Sequence, residues 1–472
     1  MKKSIVSCLL FLFTANAFAE SVFSLDSCRS MALKNNKELR IAEEKIKAAG
    51  YERKSAFANY LPGIDASGSY LYNSKDLRLV SDHQISNIGN SLNTIGNALG
   101  GLIQQIDPSL LPLLGGLTEL PGKIQDATTF DIKNMWVGMV SLKQPLFMGG
   151  KIIAYNQITN YAEQLAVSMK NTAAKDLILH VDQAYWQVIS LVYKKEMAES
   201  YANLLRKLDQ DVKDMYEVGV ATKSDQLTVA VKLNEAEIAV TKVNDGLVLS
   251  KMMLAQLCGL PVHQQFTLSD VNVPVTVTDA PAQVDMDDVY KRRYEIQSLE
   301  LATRIYKKKE IVERSAMLPS VALMGNYMIS NPNLFNGFEK KFNGMFTVGV
   351  GVSVPIWHWG KNYYKLKAAQ TETRSAVLKL EDAKEMIELQ VSQALFKVKE
   401  ANKTLLMSIT NMNKAEENLQ NAQVGYQEGV LTTQNVLEAQ TAWLKAQSEK
   451  IDAEIGVKLS DVYLSKAIGK NF

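Results

Sequence analysis

The chain has little of what most folded proteins use to staple themselves or to bind. Of its 472 residues only 3 are cysteine, 4 histidine and 11 proline. Cys8 falls in the N-terminal apolar run, leaving Cys28 and Cys258, too few for a disulfide scaffold. At that sparsity two isolated buried thiols are the favoured reading, and a pair is the alternative if the fold brings them together. His83, His180, His263 and His358 are scattered without metal-ligand spacing, so neither a metal nor a cofactor is expected. Gly349-x-Gly351 lacks the third glycine of a nucleotide loop and lies within an alternating segment. With no nucleophile, base and oxyanion set in view, the chain is not expected to be an enzyme.

Net charge and long apolar runs are also missing. Lys2 and Lys3 precede the apolar run Ile5 to Phe13, and Ala17-Phe18-Ala19 offers a small-x-small cleavage site. That pattern is a secretory signal peptide over residues 1–19, and its apolar run is too short to span a bilayer. Removing it takes away two lysines and no acid, leaving 50 residues of each sign, so no global field attracts nucleic acid. The longest later candidate, Leu99 to Leu117, is broken by Gln104, Gln105, Asp107 and Pro108. An exported chain without a spanning helix is periplasmic, secreted, or in the outer membrane as strands.

What the chain does have is itself, twice. Pro145, Gly150 and Lys151 recur 210 residues later as Pro355, Gly360 and Lys361. Tyr216, Gly219, Val220 and Leu227 recur as Tyr426, Gly429, Val430 and Leu437, and Gly259 as Gly469. Glu38 and Leu61-Pro62 recur at Glu295 and Leu318-Pro319, 257 apart, so the first copy carries an insert. Such doubling means one supersecondary unit used twice.

Each unit reads helix, strand, loop, strand, very long helix, tight turn, return helix. The first opening helix is expected over Asp26 to Tyr60, stopped by Leu61-Pro62. Period-2 alternation then puts Ile64, Ala66, Gly68, Tyr70 and Tyr72 on one face, and Trp136, Gly138, Val140 and Leu142 on one face of the partner strand. The second copy alternates Val321, Leu323, Tyr327 and Ile329, then Val348, Val350, Val352 and Val354. Roughly ten residues, one apolar face and one small polar face suit a transmembrane β-strand, although a half-buried hairpin reads the same way. Neither 151–216 nor 361–426 contains a proline; helices of that length would be on the order of 100 Å long. Val391, Val398, Leu405, Met412, Leu419 and Tyr426 stand seven apart, with Ala394, Ala401, Ser408, Ala415 and Ala422 between. This is a heptad seam of large and small residues for close knobs-into-holes packing. In the first copy Val181, Ala184, Val188 and Leu191 keep the register, while Lys195 and Asp209 interrupt it.

The pair Tyr216-x-x-Gly219-Val220 and Tyr426-x-x-Gly429-Val430, each between a long helix and its return helix, makes the resemblance specific. Over nearly the whole mature length the chain resembles a TolC-type outer membrane factor. The resemblance implies an α+β membrane protein: a homotrimer sharing a 12-stranded transmembrane β-barrel, four strands per chain, continued by a long α-helical coiled-coil barrel in the periplasm. The parts would be 20–60, the first opening helix; 61–147, the first hairpin with an extracellular insert at 74–132; and 148–260, the first helix pair with its tip turn at 217–224. An equatorial linker at 261–283 follows, then 284–317, 318–356 and 357–472 with a tip turn at 427–434. The implied function is a passive exit duct of a tripartite efflux pump or type I secretion system in the outer membrane of a Gram-negative bacterium. Its partners would be a periplasmic adaptor and an inner-membrane RND, ABC or MFS transporter, which sets the cargo.

By the same resemblance the turns form the periplasmic tip. Asp225, Asn435 and Glu438 fall at positions of the pore constriction. The family often has acids at both of the last two, whereas here only Glu438 is acidic. Leu431 stands where an arginine is found in the family, which weakens an inter-chain salt-bridge lock. Gly219, Val220, Ala221, Gly429, Val430 and Leu431 are the expected adaptor-docking residues. Glycine alone could reflect a left-handed turn conformation, but the apolar neighbours go beyond that need.

The insert carries its own stripe: Ile85, Ile88, Leu92, Ile95, Leu99, Leu102 and Ile106 step alternately three and four. Gly89, Gly96, Gly100 and Gly101 weaken a helix there, so the segment either folds onto its barrel rim or caps the mouth. Two rival classes are a trimeric adhesin, whose strands sit in one C-terminal block, and a periplasmic coiled-coil scaffold, which leaves the Val348 to Val354 stripe unexplained.

Overall fold

A computed structural model describes residues 21–272, 275–277, 281 and 283–470. The expected leader at 1–19 and parts of the expected linker at 261–283 lie outside them. In chain order the elements are β1 (Ser21–Phe23), α1 (Leu25–Asn35), α2 (Lys37–Ala58), β2 (Gly63–Tyr72), β3 (Leu77–Arg78), α3 (Asp82–Ile106), α4 (Gly115–Thr128), β4 (Thr129–Phe130), β5 (Asn134–Met148), α5 (Lys151–Glu217), α6 (Lys223–Leu257), β6 (Phe266–Leu268), α7 (Met286–Arg292), α8 (Tyr294–Ser315), β7 (Ser320–Asn331), β8 (Asn343–Ser353), α9 (Lys361–Gln427) and α10 (Thr433–Ala467). Both copies follow the expected order. The chain divides into a helical unit (up to Tyr51, with Thr159–Tyr306 and Thr371–Phe472) and a strand-bearing unit (Glu52–Ile158 and Lys307–Gln370).

The opening helices correct the sequence reading. The continuous helix expected from Asp26 to Tyr60 breaks at Asn36, whose backbone swings to φ −64°, ψ 130°. Its side-chain oxygen accepts from the Glu38 N–H at 2.8 Å and starts α2 afresh, while its amide donates to the Leu257 carbonyl at 3.4 Å. The second copy breaks at the equivalent Arg293, with φ −86° and ψ 112°. Tertiary hydrogen bonds to the end of the return helix override a good helical stretch.

In the helical unit α5 and α9 each run 67 residues without interruption. Five large residues of the α9 heptad seam are buried, Val391, Val398, Leu405, Met412 and Leu419, while Ala401, Ala415 and Tyr426 are half-buried. The seam's neighbours are Ala439, Ala453, Val457 and Leu464 of α10, with Ile468 just past its end. The first copy packs Val181, Ala184 and Val188 of α5 with Leu247 and Leu254 of α6. β1 pairs parallel with β6, Val22 opposite Thr267. Arg29 of α1 forks onto Asp182 of α5 through two bonds of 2.8 and 2.7 Å.

In the strand-bearing unit β2, β5, β7 and β8 form one antiparallel sheet in that order. β5 is longer than its alternation suggested because the ladder passes Pro145 through an irregularity between Pro145 and Phe147, where a missing N–H does no harm. The insert is a helical hairpin: α3 carries the whole apolar stripe, and α4 folds back along it. Two of its glycines are contact points, since a Cβ on Gly89 would lie 3.6 Å from Pro121 and one on Gly100 3.5 Å from Leu114, while one on Gly96 or Gly101 would meet open space. Phe130 stacks on Phe338 of the β7–β8 loop at 4.9 Å and Asp131 pairs with Lys340, so the base of the insert rests on its own hairpins.

Candidate functional site: helix turns and sheet

Register turns the four alternating stripes into one surface. Ile64 lies opposite Leu142, Leu142 opposite Gly325, and Gly325 opposite Val348. One step along, Ala66, Val140, Tyr327 and Phe346 align in the same way, and Tyr70 stacks on Trp136 at 4.7 Å. The opposite face carries Asp65, Ser67, Ser141, Asn326 and Thr347, with Gly349 and Gly351. Val348, Val350 and Val352 are 60–64 % exposed in this chain. β2 and β8 are the sheet's outer strands, each paired along one edge only. Among the described residues no helix is long and apolar enough to cross a membrane.

The helix turns are two copies of one device. Gly219 at φ 77° and Gly429 at φ 74° end the long helices in the left-handed conformation glycine tolerates. The Val220 N–H closes on the Met215 carbonyl at 2.9 Å and the Val430 N–H on Gly425 at 2.8 Å, while Gly219 and Gly429 bond Tyr216 and Tyr426 at 3.0 Å. This is the Schellman arrangement. Each return helix then opens on a capping box, Thr222 with Asp225 and Thr432 with Asn435.

The capping boxes engage two of the three expected gate residues. Asp225 accepts from the Thr222 N–H at 3.0 Å and hydroxyl at 2.6 Å; Asn435 accepts from Thr432 at 3.0 and 2.7 Å. The Thr222 hydroxyl, and then its N–H, holds the Asp225 carboxyl below the usual carboxylate range. Both side chains are committed to starting helices. Glu438 stands one turn further along α10, exposed, accepting from Gln434 Nε2 at 3.0 Å.

The six expected docking residues also divide. Val220 and Val430 project at 76 % and 78 % exposure. Ala221 packs against the cluster of Leu205, Leu208, Val212 and Val229, and Leu431 against Leu419, Ala422 and Ala439. These two are half-buried, because each follows its turn just where the chain re-enters the bundle. Val218, 75 % exposed, was missed by the sequence reading; its signal is an apolar residue immediately before the turn glycine. The two turns meet through Tyr426, whose hydroxyl lies 3.2 Å from Met215 Sδ. Among the described residues no group of three or more His, Cys, Asp or Glu is placed to hold a metal ion.

Comparison with known proteins agrees with this arrangement. The family model described as outer membrane efflux protein matches residues 28–260 and 286–470. The cation efflux system protein CusC of Escherichia coli K12 is 20 % identical over 443 residues, covering 93 % of this chain and 85 % of CusC. Outer membrane protein TolC of the same strain is 21 % identical over 313 residues, 63 % of this chain and 62 % of TolC. The crystal structure of the outer membrane protein VceC from Vibrio cholerae superposes with a TM-score of 0.73 at 16 % identity, covering 95 % of this chain and 96 % of VceC.

Proposed function

Because this chain belongs to the outer membrane efflux protein family, with its place in the outer membrane and reaching into the periplasm, we propose that it is the exit duct of a tripartite efflux pump or type I secretion system. Three copies each contribute β2, β5, β7 and β8 to a twelve-stranded barrel, and the long helices line the periplasmic passage. An adaptor and an inner-membrane RND, ABC or MFS transporter open it, and cargo moves through passively, without chemistry by this chain.

One observation carries the reading: a register-aligned apolar face on a sheet whose outer strands each keep one unpaired edge. Unpaired backbone groups in lipid cost several kcal/mol each, so such a sheet enters a membrane only when other copies close it. The polar and glycine-bearing opposite face suits a wet lumen.

At the tip, Glu438 is the gate residue, its three copies forming a carboxylate ring that favours cations. Val220 and Val430, joined by Val218, form the adaptor contact. The duct is tested by fractionation, by gel migration with and without heating in detergent, and by conductance in planar bilayers. A heat-dissociable trimer that conducts supports it; a detergent-free soluble monomer overturns it.

A further inference from the structure

We infer that Cys28 and Cys258 are joined by a disulfide in the exported protein. The fold brings them together from 230 positions apart. Cys28 lies in the first turns of α1 and Cys258 caps α6, both within one core cluster beside Phe266, Leu254 and Tyr185. The Cys258 thiol points at the Cys28 carbonyl at 3.6 Å, and the two thiols are in hydrogen-bonding reach of each other. With exposures of 0 % and 1 %, neither sulfur meets solvent in the finished fold.

The other copy supplies an internal control. There the equivalent joint between opening helix and return helix is closed by Arg293, which donates to the Lys466 and Ala467 carbonyls at 3.3 and 3.0 Å. In the first copy Asn36 takes the place of Arg293 and donates to the Leu257 carbonyl at 3.4 Å, while Asn35 donates to the Cys258 carbonyl at 3.4 Å. The glycine contact is kept in both: a Cβ on Gly259 would lie 2.6 Å from the Asn35 Cβ, and one on Gly469 2.8 Å from the Arg292 Cβ. The two bonds across the joint are thus longer where it has the cysteines, 3.4 Å each against 3.3 and 3.0 Å, while the second copy has Ile468 in place of Cys258. A covalent bond here ties the β1–α1 segment to the end of α6, whatever the helices conduct. The inference therefore rests on export to the periplasm and not on the duct.

The chemistry balances by thiol–disulfide exchange with an oxidised dithiol protein of the periplasm. One cysteine thiolate attacks that protein's disulfide to give a mixed disulfide, and the second displaces it. Two S–H bonds are lost, one S–S bond forms, and the electron pair and two protons leave with the reduced dithiol. Burial of both sulfurs places the step during folding, and afterwards shields the bond from reductant.

The test purifies the full chain, unfolds it without reductant in an excess of an alkylating reagent, and digests it with trypsin. The expected product is the peptide ending at Arg29 linked to peptide 252–291, two hydrogens lighter than the separate thiols, and separated by reduction. Cells lacking the periplasmic dithiol oxidant should yield both peptides alkylated, and Cys258→Ala should leave Cys28 alkylated whether or not the variant assembles. Full alkylation of both cysteines in cells with the oxidant intact overturns the inference.

Discussion

Asp225 and Asn435 occupy one position 210 residues apart and accept the same two hydrogen bonds from Thr222 and Thr432. One is ionisable and the other is not, so the chain contains its own Asp225→Asn experiment. Asp225→Asn is expected to preserve the turn, whereas Asp225→Ala removes the half of the box that reaches back to the Thr222 N–H and should weaken the turn. The readout is amide protection over the first turn of α6. The Asp225 carboxyl titrates below its ordinary value in the folded chain. Its contribution is therefore present above the unfolded value near ~3.9 and lost as pH falls through the folded one. Asp225→Asn should abolish that acid dependence. An acid response equal to wild type in the variant would place its source elsewhere.

With those two residues engaged, Glu438 is the exposed acid left at the start of α10. Three carboxylates around one narrow ring attract cations and bind multivalent ones most strongly. In planar bilayers Glu438→Gln is expected to lower cation preference and relieve block by multivalent cations. Unchanged selectivity and block would remove Glu438 from the gate.

The docking surface is tested by placing charge on it. Val220→Asp or Val430→Asp is expected to abolish export in cells, because an apolar contact must then desolvate a carboxylate, while the trimer on unheated gels stays intact. Ala221→Asp and Leu431→Asp should behave differently and destabilise the assembly itself, since both side chains pack inward. Full export by the two valine variants would remove these residues from the contact.

The contrast between Val220 and Ala221 shows where sequence stopped being informative. Periodicity within one element was legible: the buried seam of α9 from Val391 to Leu419 is the heptad read from residue identities. The four alternating strand faces also align as their patterns require, because strand period is fixed by pleating. What did not show was any feature decided by a distant segment. Asn36 breaks the opening helix through bonds to the end of α6, and nothing near Asn36 announces them. Gly89 and Gly100 of the insert, read as weakening a helix, are where α4 and its preceding turn lie against α3. Cys28 and Cys258 belong to this group as well: their sparsity favoured isolation, and only tertiary packing brings them together.

The pair Arg29 and Asp182 gives a stability prediction with a defined asymmetry. The Asp182 side chain is fully buried, while that of Arg29 keeps 19 % exposure and also reaches Asp26 at 3.2 Å. Burial pushes the Asp182 carboxyl above its usual range, offset in part by the guanidinium. Arg29→Ala strands a buried carboxylate and is expected to cost about 3–5 kcal/mol. Asp182→Ala should cost less, since Arg29 can turn to water and keeps Asp26. A raised folded pKa means the folded chain holds its proton where the unfolded chain has released it, so this group favours folding at low pH and less so as pH rises through that window. The Arg29→Ala deficit in melting temperature should therefore narrow on acidification. A deficit larger for Asp182→Ala than for Arg29→Ala at neutral pH would contradict the assignment.

Trp359 and Gly149 make the last comparison, again 210 residues apart. Both adopt positive φ at the junction of strand and long helix, 50° for Trp359 and 61° for Gly149. A side chain in that region costs roughly 1–2 kcal/mol, yet Trp359 is 86 % exposed and meets the Trp357 ring edge-on at 5.9 Å. Exposed indoles at the end of a membrane strand are expected at the lipid interface, which gives a reason outside the chain for tolerating the strain. Trp359→Gly should accordingly leave the dissociation temperature of the detergent-solubilised trimer near wild type, strain relief offsetting about 1 kcal/mol of glycine's unfolded-state entropy. Gly149→Ala should lower it clearly, because a Cβ there would lie 2.9 Å from the Leu318 Cβ and 3.0 Å from the Ser315 carbonyl. If Gly149→Ala proved as stable as wild type, the close packing of that junction would be wrong.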